Sequence, residues 1–266
     1  MSEAEVLFTD LVGCDRLSLY LNQDSHLDKH KSLFLASVLA RRTRGEPLQY
    51  ILAKTEFMGR QFILTEDVLI PRPETEILVD TALRYLSDTD IARRTLRILD
   101  LGTGSGCIAV SLAKLLSNSI IDAIDISEAA LRVARKNSRL HKARVNFMQS
   151  DLFDNPKLRV DNYNLIISNP PYIPRGEIIN LQPEISFEPA IALDGGKDGL
   201  HFYRQIVGQS TRYLKTGGLL MVEIGFNQGD AVSGIIDQSA AFKIIEVVKD
   251  FQQFERIIVA KKIENG

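Results

Sequence analysis

The sequence has no tryptophan, and it is poor in the residues that form disulfides and bind transition metals. It contains two cysteines, Cys14 and Cys107, and four histidines that cluster neither with them nor with one another. Two cysteines are too few for a disulfide framework, and their spacing matches no metal-binding motif. We therefore expect two small buried side chains in a reducing compartment, histidines that are structural or exposed, and no metal site.

The chain also lacks a strong net charge and a long apolar run. Its 32 basic and 34 acidic side chains give a net charge of -2. This argues against a protein that binds nucleic acid through a high net positive charge, although it does not exclude a local basic patch. No apolar run approaches the roughly 20 residues of a membrane span. The N-terminus carries Glu3 and Glu5 and no basic-then-apolar signal pattern. We expect a cytoplasmic protein without membrane contact.

Two parts of different character follow one another along the chain. Up to about residue 45, apolar residues recur at helical spacing and end at a glycine–proline stop signal, which predicts several short helices in a small bundle. Residues 54–64 indicate a hairpin with a glycine turn. We place the domain boundary after this hairpin, so that residues 1–70 form the helical domain with its linker and residues 71–266 form the larger domain.

From Arg97 onward, strand patterns alternate with helix patterns. The segments predicted to be strands are 97–101, 120–124, 143–148, 163–168, 219–224, 242–248 and 256–260. One of the intervening helices is expected over residues 198–214, with Gly217-Gly218 as its stop. Such alternation predicts an α/β domain with a mostly parallel seven-stranded sheet between helices. The last two strands have no helix between them, so we expect one to run antiparallel at an edge.

A glycine-rich turn joins the first of these strands to its helix. Residues 100–106 read Asp-Leu-Gly-Thr-Gly-Ser-Gly, and their alternate glycines let a ligand approach the backbone without meeting a Cβ atom. The spacing is neither the G-x-G-x-x-G dinucleotide fingerprint nor a Walker phosphate loop. The turn predicts a ligand site formed by Gly102, Thr103, Gly104, Ser105 and Gly106.

Acidic residues follow the next two strands at the same edge of the predicted sheet. Asp125 comes roughly 20 residues after the glycine turn, where an acid suits the two hydroxyls of a ribose. Asp151 and Leu152 follow the third strand, where a carboxylate beside apolar side chains suits an adenine amine and its ring. Each aspartate alone is equally well explained as a helix N-cap. Because no basic phosphate cradle accompanies them, the set points to S-adenosylmethionine rather than NAD.

The fourth strand ends in Asn169-Pro170-Pro171-Tyr172. Neither proline has an N–H to donate, so the chain must leave the sheet in a stiff, extended loop. The loop offers the Asn169 side chain, the Pro170 carbonyl and the Tyr172 ring, a set that suits a planar NH2 group. The plain alternative is a proline turn that caps a strand. Since Asn169 lies at the edge predicted to hold the adenosine, we favour a cradle for a nitrogen nucleophile.

Taken together, these segments resemble a known family. They are similar to class I S-adenosylmethionine-dependent methyltransferases and, more narrowly, to the release factor glutamine methyltransferases. The similar segments are 47–51, 56–59, 71–76, 100–106, 169–173, 188–190, 194–196, 198–200 with 203–204, and 223–225. The glycine turn and Asp125 specify only the class, and Asn-Pro-Pro-Tyr is shared with DNA adenine-N6 methyltransferases. Residues 71–76 and 195–200 narrow the resemblance to the glutamine family.

The resemblance implies a Rossmann-like class I methyltransferase sheet with a small N-terminal helical domain joined to it by a β-hairpin. It implies methyl transfer from S-adenosylmethionine to N5 of the glutamine in the Gly-Gly-Gln motif of peptide chain release factors, which modulates translation termination. The helical domain would help to bind the release factor, and Asn169 and the Pro170 carbonyl would hold the glutamine amide. We expect a monomer without direct nucleic-acid contact.

The predicted site residues follow from these segments. Catalysis is assigned to Asn169, Pro170 and Tyr172, and substrate binding to these three with Pro171. Cofactor binding is assigned to Gly102, Thr103, Gly104, Ser105, Gly106, Asp125, Asp151, Leu152 and Asn169. Family members often have an aromatic residue where Leu152 stands, so Phe153 is an alternative cover for the adenine. The loop after Tyr172, with its Gly195-Gly196 pair, is a candidate lid.

Two other functions stay open on the residues alone. One is an amino-methyltransferase that acts on a nucleic-acid base, at adenine N6 or guanine N2. Such an enzyme needs a basic face, whereas acids and bases are roughly balanced in the N-terminal part. The other is a cofactor-binding scaffold without turnover, which the intact Asn169 cradle disfavours.

Overall fold

The computed structural model describes residues 2–21, 26–87 and 95–264. Its N-terminal helices are α1 (Glu3–Val12), α2 (Arg16–Leu21), α3 (Lys29–Arg42) and α4 (Leu48–Ile51). Helix α1 begins at a capping box between Ser2 and Glu5 and ends at Gly13, whose φ is 74°. A small apolar core joins the helices through Leu7, Val38, Leu48 and Ile51. The expected N-terminal helical part is confirmed.

A two-stranded antiparallel hairpin, β1 (Lys54–Phe57) and β2 (Arg60–Ile63), follows these helices. Met58 and Gly59 both have positive φ, as a tight turn between twisted strands requires. The rings of Phe57 and Phe62 meet edge to face, with 6.0 Å between their centroids, and both are buried in the main core. The hairpin thus packs on the larger domain, and the boundary after residue 70 stays a prediction.

The larger domain is a seven-stranded sheet between helices. Its strands are β3 (Leu96–Leu101), β4 (Ser119–Asp125), β5 (Val145–Gln149), β6 (Tyr163–Ser168), β7 (Leu214–Glu223), β8 (Phe242–Lys249) and β9 (Glu255–Lys262). Its helices are α5 (Pro73–Leu86), α6 (Cys107–Leu115), α7 (Glu128–Leu140), α8 (His201–Tyr213) and α9 (Gly229–Gln238). The strand order is β5-β4-β3-β6-β7-β9-β8, and neighbours from β5 to β7 are parallel. The predicted Rossmann-like α/β fold is confirmed.

The antiparallel strand does not lie at the edge where we expected it. β9 runs antiparallel to both β7 and β8 and lies between them, so that β8 is the edge strand. The physical reason is the crossover through α9, which carries β8 one position beyond β7 and leaves a gap. A short turn after Lys249 returns the chain into that gap as β9.

The Gly217-Gly218 pair does not end a helix, as we expected it to. Helix α8 already ends at Tyr213, and β7 begins at once with Leu214. The glycine pair lies within β7, where the register to β6 shifts. A Cβ atom on Gly218 would stand 2.8 Å from the Lys215 carbonyl oxygen. The pair therefore allows the strand to bulge.

Two apolar cores lie on the two faces of the sheet, because successive side chains of a strand point to opposite faces. On β3, Ile98 joins the core under α5 and α6, whereas Leu99 and Leu101 join the core under α8 and α9. On β6, Ile167 and Ile166 divide in the same way. Helices cover both faces, so a ligand has access at the carboxyl ends of the parallel strands.

The described residues contain neither a membrane-spanning helix nor a cluster of metal ligands. No helix within residues 2–21, 26–87 and 95–264 is long and apolar enough to span a membrane. In the same part of the chain, no three His, Cys, Asp or Glu side chains are grouped as a metal ion would require.

The Asn137 side chain of α7 joins three segments. It is fully buried, its Oδ1 accepts from the Ile63 N–H at 2.7 Å, and its Nδ2 donates to the carbonyl oxygens of Ile63 and Ser105 at 3.0 and 2.9 Å. One amide therefore fastens the hairpin and the glycine turn to the same helix.

Replacing Asn137 by Leu should lower the free energy of unfolding by about 3 kcal/mol, because buried backbone groups of the hairpin and the turn lose their partners. Urea unfolding at equilibrium measures the loss. Asn146→Leu is the control, since this exposed asparagine on β5 bonds Asp122 at the surface and its loss should change stability by no more than about 0.5 kcal/mol. Equal losses in the two variants would contradict this role of Asn137.

Candidate active site

One cavity of ≈ 270 Å³ opens at the carboxyl edge of the sheet, where β3, β4 and β6 end. Parallel strands bring their carboxyl ends to one edge, so residues that are distant in sequence meet there. The predicted site residues that line the cavity are Gly102, Gly104, Asp125, Asp151, Leu152, Asn169, Pro170 and Pro171. The predicted site residues outside its lining are Thr103, Ser105, Gly106 and Tyr172.

The glycine turn presents backbone to the cavity at Gly102 and Gly104. Their φ angles are 71° and 54°, and an ideal Cβ atom at either position would meet no described atom within 4 Å. A side chain there would both strain the backbone and fill the cavity. Thr103 points the other way, and its Oγ1 donates to Asp100 at 2.6 Å. Gly106 packs against Ala134, whose Cβ would lie 3.0 Å from an added Cβ.

Asp125 supports the glycine turn as well as facing the cavity. Its Oδ2 accepts from the Gly104 N–H and its Oδ1 from the Ser127 N–H, each at 2.9 Å. Burial raises the pKa of Asp125, and these backbone N–H bonds act against the rise. The N-cap of α7 is Ser127, whose hydroxyl accepts from the Ala130 N–H. The helix-cap explanation of Asp125 is therefore wrong.

The third strand contributes Asp151 and Leu152. Asp151 is exposed at the cavity and precedes a turn, so it caps no helix in the described chain. Leu152 lines the cavity with a φ of 41°. Phe153 is buried, and its ring stacks on Tyr213 of α8 with 4.8 Å between centroids. Phe153 is thus not available to cover an adenine, and Leu152 is the apolar residue of this segment at the site.

The proline corner begins where β6 ends. Asn169, Pro170 and Pro171 line the cavity, and the Asn169 Nδ2 donates to the Thr75 hydroxyl at 3.1 Å. The Tyr172 ring packs against Gly225, and the Tyr172 carbonyl accepts from Gln228 Nε2 at 2.9 Å. Burial raises the pKa of Tyr172 to about 12. A contact between this ring and a substrate amide stays a prediction.

The loop after Tyr172 covers one side of the cavity and is fastened at several points. Ile173 bridges Asp194, and Gly195 lies so close that an added Cβ would stand 2.8 Å from the Tyr172 backbone. Pro189 and Ile191 of this loop line the cavity. A glycine at position 195 thus allows the loop to pack closely on the Tyr172 backbone. Closure of the loop as a lid stays a prediction.

The same loop is held by an ion pair to which the sequence analysis assigned no role. Arg72, just before α5, donates through Nη2 to both carboxylate oxygens of Glu188, at 2.6 and 2.8 Å. The Glu188 side chain is only 2% exposed. Burial raises the pKa of Glu188, and Arg72 acts against the rise. Arg72 therefore offsets part of the cost of burying this carboxylate.

The charges around the cavity decide which ligands fit. Asp67, Asp125 and Asp151 line it, and the described lining includes no lysine or arginine. Such a lining disfavours a phosphate and suits a neutral or positively charged ligand. S-adenosylmethionine carries a positive sulfonium and no phosphate, and the open space at Gly102 and Gly104 leaves room for it. The residues present therefore fit this cofactor.

Some residues of the site were not predicted from the sequence. Thr75, which bonds Asn169, and Arg72, which bonds Glu188, belong to the segment 71–76. This segment resembles the family, but no chemical pattern in the sequence indicated either contact. Ile191 and Phe202 line the cavity from a long loop and from α8, which sequence spacing does not bring to the site.

Comparisons with known proteins bear directly on this site. The chain matches the Methyltransferase small domain over residues 76–182 and the PrmC N-terminal domain over residues 1–52. It is 43% identical to a release factor glutamine methyltransferase of Geobacter sulfurreducens over 89% of this chain and 81% of the relative. This chain belongs to the release factor glutamine methyltransferase family. A member from Thermodesulfovibrio yellowstonii is 39% identical over 98% of this chain and 92% of its own.

Solved structures share the fold of this family member. A methyltransferase from Pyrococcus furiosus matches 86% of this chain and 100% of its own, with a TM-score of 0.57 at 15% identity. A tRNA m1G37 methyltransferase from M. jannaschii matches 80% of this chain and 57% of its own, with a TM-score of 0.52 at 16% identity. At such identities the likeness shows the fold alone, which enzymes named for different substrates share.

Removing the guanidinium of Arg72 should weaken both the fold and the loop over the cavity. Arg72→Ala leaves the buried Glu188 carboxylate without its partner, and we expect a loss of about 3 kcal/mol in urea unfolding with faster proteolysis of the loop. Arg175→Ala is the control, because its pair with Asp194 is exposed and should contribute less than about 1 kcal/mol. Similar losses in the two variants would show that burial of Glu188 does not matter.

Asp100 should make the stability of the protein pH-dependent. Burial raises its pKa to about 7, against the hydrogen bond from Thr103. The folded-state pKa lies above that of the unfolded chain, so the stability contribution is full at low pH and is lost as pH rises through about 7. The stability gap between Asp100→Asn and the unaltered protein should therefore shift by about 2 kcal/mol in favour of the variant from pH 5.5 to 7.5. If the difference in unfolding free energy between the two proteins, measured with urea, stays the same from pH 5.5 to 7.5, the raised pKa of Asp100 is contradicted.

Proposed function

We propose that this chain transfers the methyl group of S-adenosylmethionine to N5 of the glutamine in the Gly-Gly-Gln motif of peptide chain release factors. The observation that carries the proposal is the position of Asn169, which lines the cavity beside the glycine turn while its Nδ2 is already bonded to Thr75. Family membership supports the substrate, because the relatives are named for it. A role in translation termination follows from that substrate.

The proline corner is suited to hold the glutamine amide. Asn169 Oδ1 and the Pro170 carbonyl accept one amide hydrogen each, and Pro171 keeps the corner stiff. An amide nitrogen is a poor nucleophile because its lone pair is delocalised. Fixing both hydrogens favours a pyramidal nitrogen with its lone pair directed at the methyl carbon. Alignment of this kind can account for several kcal/mol of the barrier.

The cofactor residues follow the geometry of the cavity. S-adenosylmethionine, when bound, supplies a methyl group attached to a positively charged sulfur. After the transfer this sulfur is a neutral thioether, so the leaving group needs no acid to protonate it. Gly102 and Gly104 provide space, Asp125 and Asp151 provide carboxylates, and Leu152 provides apolar contact. Further residues shape the turn and the corner from behind: Thr103, Ser105, Gly106 and Tyr172. Water suffices to remove the proton from the methylated nitrogen, which is strongly acidic.

The partners of the chain are part of the same proposal. The N-terminal helices are the surface that we assign to the release factor, and we infer that the enzyme is monomeric. Because its proposed substrates work in translation, we place the enzyme in the cytoplasm.

A substrate assay tests the proposed reaction. Labelled S-adenosylmethionine is offered with a release factor, with the same factor carrying Gly-Gly-Ala, and with bare tRNA and DNA. We expect label on the unaltered release factor alone. Label on the Gly-Gly-Ala factor would place the methyl group elsewhere, and label on nucleic acid alone would favour the base amino-methyltransferase.

Truncating Asn169 should separate catalysis from cofactor binding. Asn169→Ala removes an acceptor that acts on the substrate amide, so we expect kcat to fall roughly 100-fold. The Kd for S-adenosylmethionine, measured by calorimetry, should stay within about threefold. Asn118→Ala is the control, because this exposed asparagine precedes β4 at the opposite edge of the sheet. Equal loss of turnover and of cofactor affinity would remove Asn169 from the role assigned to it.

A further inference from the structure

Three phenylalanines are exposed at the same edge of the sheet as the cavity, outside its lining. Phe226 follows the carboxyl end of β7, and Phe251 and Phe254 lie in the turn from β8 to β9. Because β9 runs antiparallel to β7, this turn lies beside the end of β7. The side chains of Phe226, Phe251 and Phe254 are 61%, 100% and 42% exposed. We call these three residues the aromatic patch.

The turn from β8 to β9 is held in place by Asp250, which is largely buried. Its Oδ1 accepts from the Gln252 and Phe254 N–H groups at 2.8 and 3.0 Å, and its Oδ2 accepts from Arg256 Nε at 2.8 Å. The rings of Phe226 and Phe254 meet edge to face, with 5.8 Å between their centroids. A hydrogen-bonded turn therefore holds apolar rings in water, and fixed, clustered aromatic side chains of this kind are typical of protein contact surfaces.

The aromatic patch is joined to the proline corner through Gln228. The Gln228 Oε1 accepts from the Gly225 N–H at 3.0 Å, and its Nε2 donates to the Tyr172 carbonyl at 2.9 Å. The Tyr172 ring packs against Gly225, the residue before Phe226, and Gln228 is buried between the two segments. One amide side chain therefore fixes the turn that carries Phe226 against the corner at which we place the acceptor.

The strand order places the aromatic patch and the cofactor residues on opposite sides of Asn169. Strands β3, β4 and β5, which carry the assigned cofactor residues at their ends, lie on one side of β6, and β7 and β9 lie on the other. A protein that inserts a glutamine side chain at the end of β6 must pass its main chain over the rim of the cavity. On the side away from the cofactor, this path leads onto the aromatic patch. Neighbouring strands are about 4.8 Å apart, so β9 lies roughly 10 Å from β6, a distance that about three extended residues span.

We propose that the aromatic patch binds the polypeptide that flanks the acceptor glutamine in the release factor. The inference rests on the proposed function, because it takes its occupant from the reaction assigned to Asn169. The exposed residues of the surface, 226–227 and 251–254, are phenylalanines and amides without charge. The neighbouring Arg256 is paired with the buried Asp250. Such a surface offers apolar contact and amide hydrogen bonds, which suit a protein chain, whereas a nucleic acid needs free cations at its phosphates.

The first test is kinetic, with saturating S-adenosylmethionine and a release factor as substrate. The double variant Phe226→Gln/Phe251→Gln should raise KM for the release factor about tenfold at an unchanged kcat, because a contact remote from the methyl group contributes equally to the ground and transition states. The Kd for S-adenosylmethionine, measured by calorimetry, should not change. Leu140→Gln is the matched control and should leave KM unchanged, because this leucine is 50% exposed and ends α7 at the opposite edge of the sheet.

The second test does not depend on turnover. A benzophenone amino acid in place of Phe251 is irradiated in the presence of S-adenosylhomocysteine, tRNA and a release factor that carries Gly-Gly-Ala, and the crosslinked peptides are identified by mass spectrometry. We expect crosslinks to the loop that carries this motif, and none to that loop from the same group in place of Leu140. The absence of crosslinks from position 251, or crosslinks only to a remote part of the release factor, to tRNA or to a second copy of the enzyme, would overturn the proposal.

The outcomes separate the inference from the proposed function. Absence of transfer by the unaltered enzyme, with crosslinks from position 251 to the Gly-Gly-Ala loop, would remove the proposed reaction and leave the contact surface intact. Normal transfer by the unaltered enzyme, with an unchanged KM in the double variant, would overturn the contact surface and leave the reaction intact.

Discussion

Two missing backbone donors determine how the acceptor side of the site is built. Pro170 and Pro171 have no N–H, so the chain cannot extend the β6 ladder and leaves the sheet beside the glycine turn. The loop that follows must return to start α8, and it does so by packing Gly195 directly on the Tyr172 backbone. The Arg72–Glu188 pair then fixes the far side of this loop to the start of α5. The loop that begins at this corner is therefore anchored at both of these points.

Buried carboxyl groups stand behind both halves of the cavity. Asp100 lies behind the glycine turn and Glu223 behind the proline corner, and burial raises both pKa values to about 7. Such groups cost folding free energy when they ionise, so a core selected for stability alone would exclude them. Their concentration at one edge of the sheet is what is expected where ligand geometry constrains the chain.

Much of this arrangement could be predicted from local patterns. The alternation of strands and helices fixed the fold class, and the glycines and prolines marked the places where chain meets ligand. The strand order near β9 could not be predicted in this way, since a strand's position in a sheet depends on pairing that local sequence does not encode. For the same reason Thr75 stayed without a role: it meets Asn169 only because α5 packs beside the end of β6. Phe153 was offered as an adenine cover because residue order does not show that its ring is buried against Tyr213.

The placement of β9 between β7 and β8 has a consequence for biosynthesis. The ladder partner of β8 is β9, which is made later, so β8 emerges from the ribosome with neither edge satisfied by a neighbour. β7 likewise exposes one edge of unpaired N–H and C=O groups until the chain has been extended through Lys261, the last residue of β9 that pairs with it. The sheet is therefore completed by the insertion of an interior strand and not by the addition of an edge strand, and this delays its closure until β9 has been made. A nascent chain in this state presents unpaired strand edges that can pair with other chains, and chaperones act on chains of this kind.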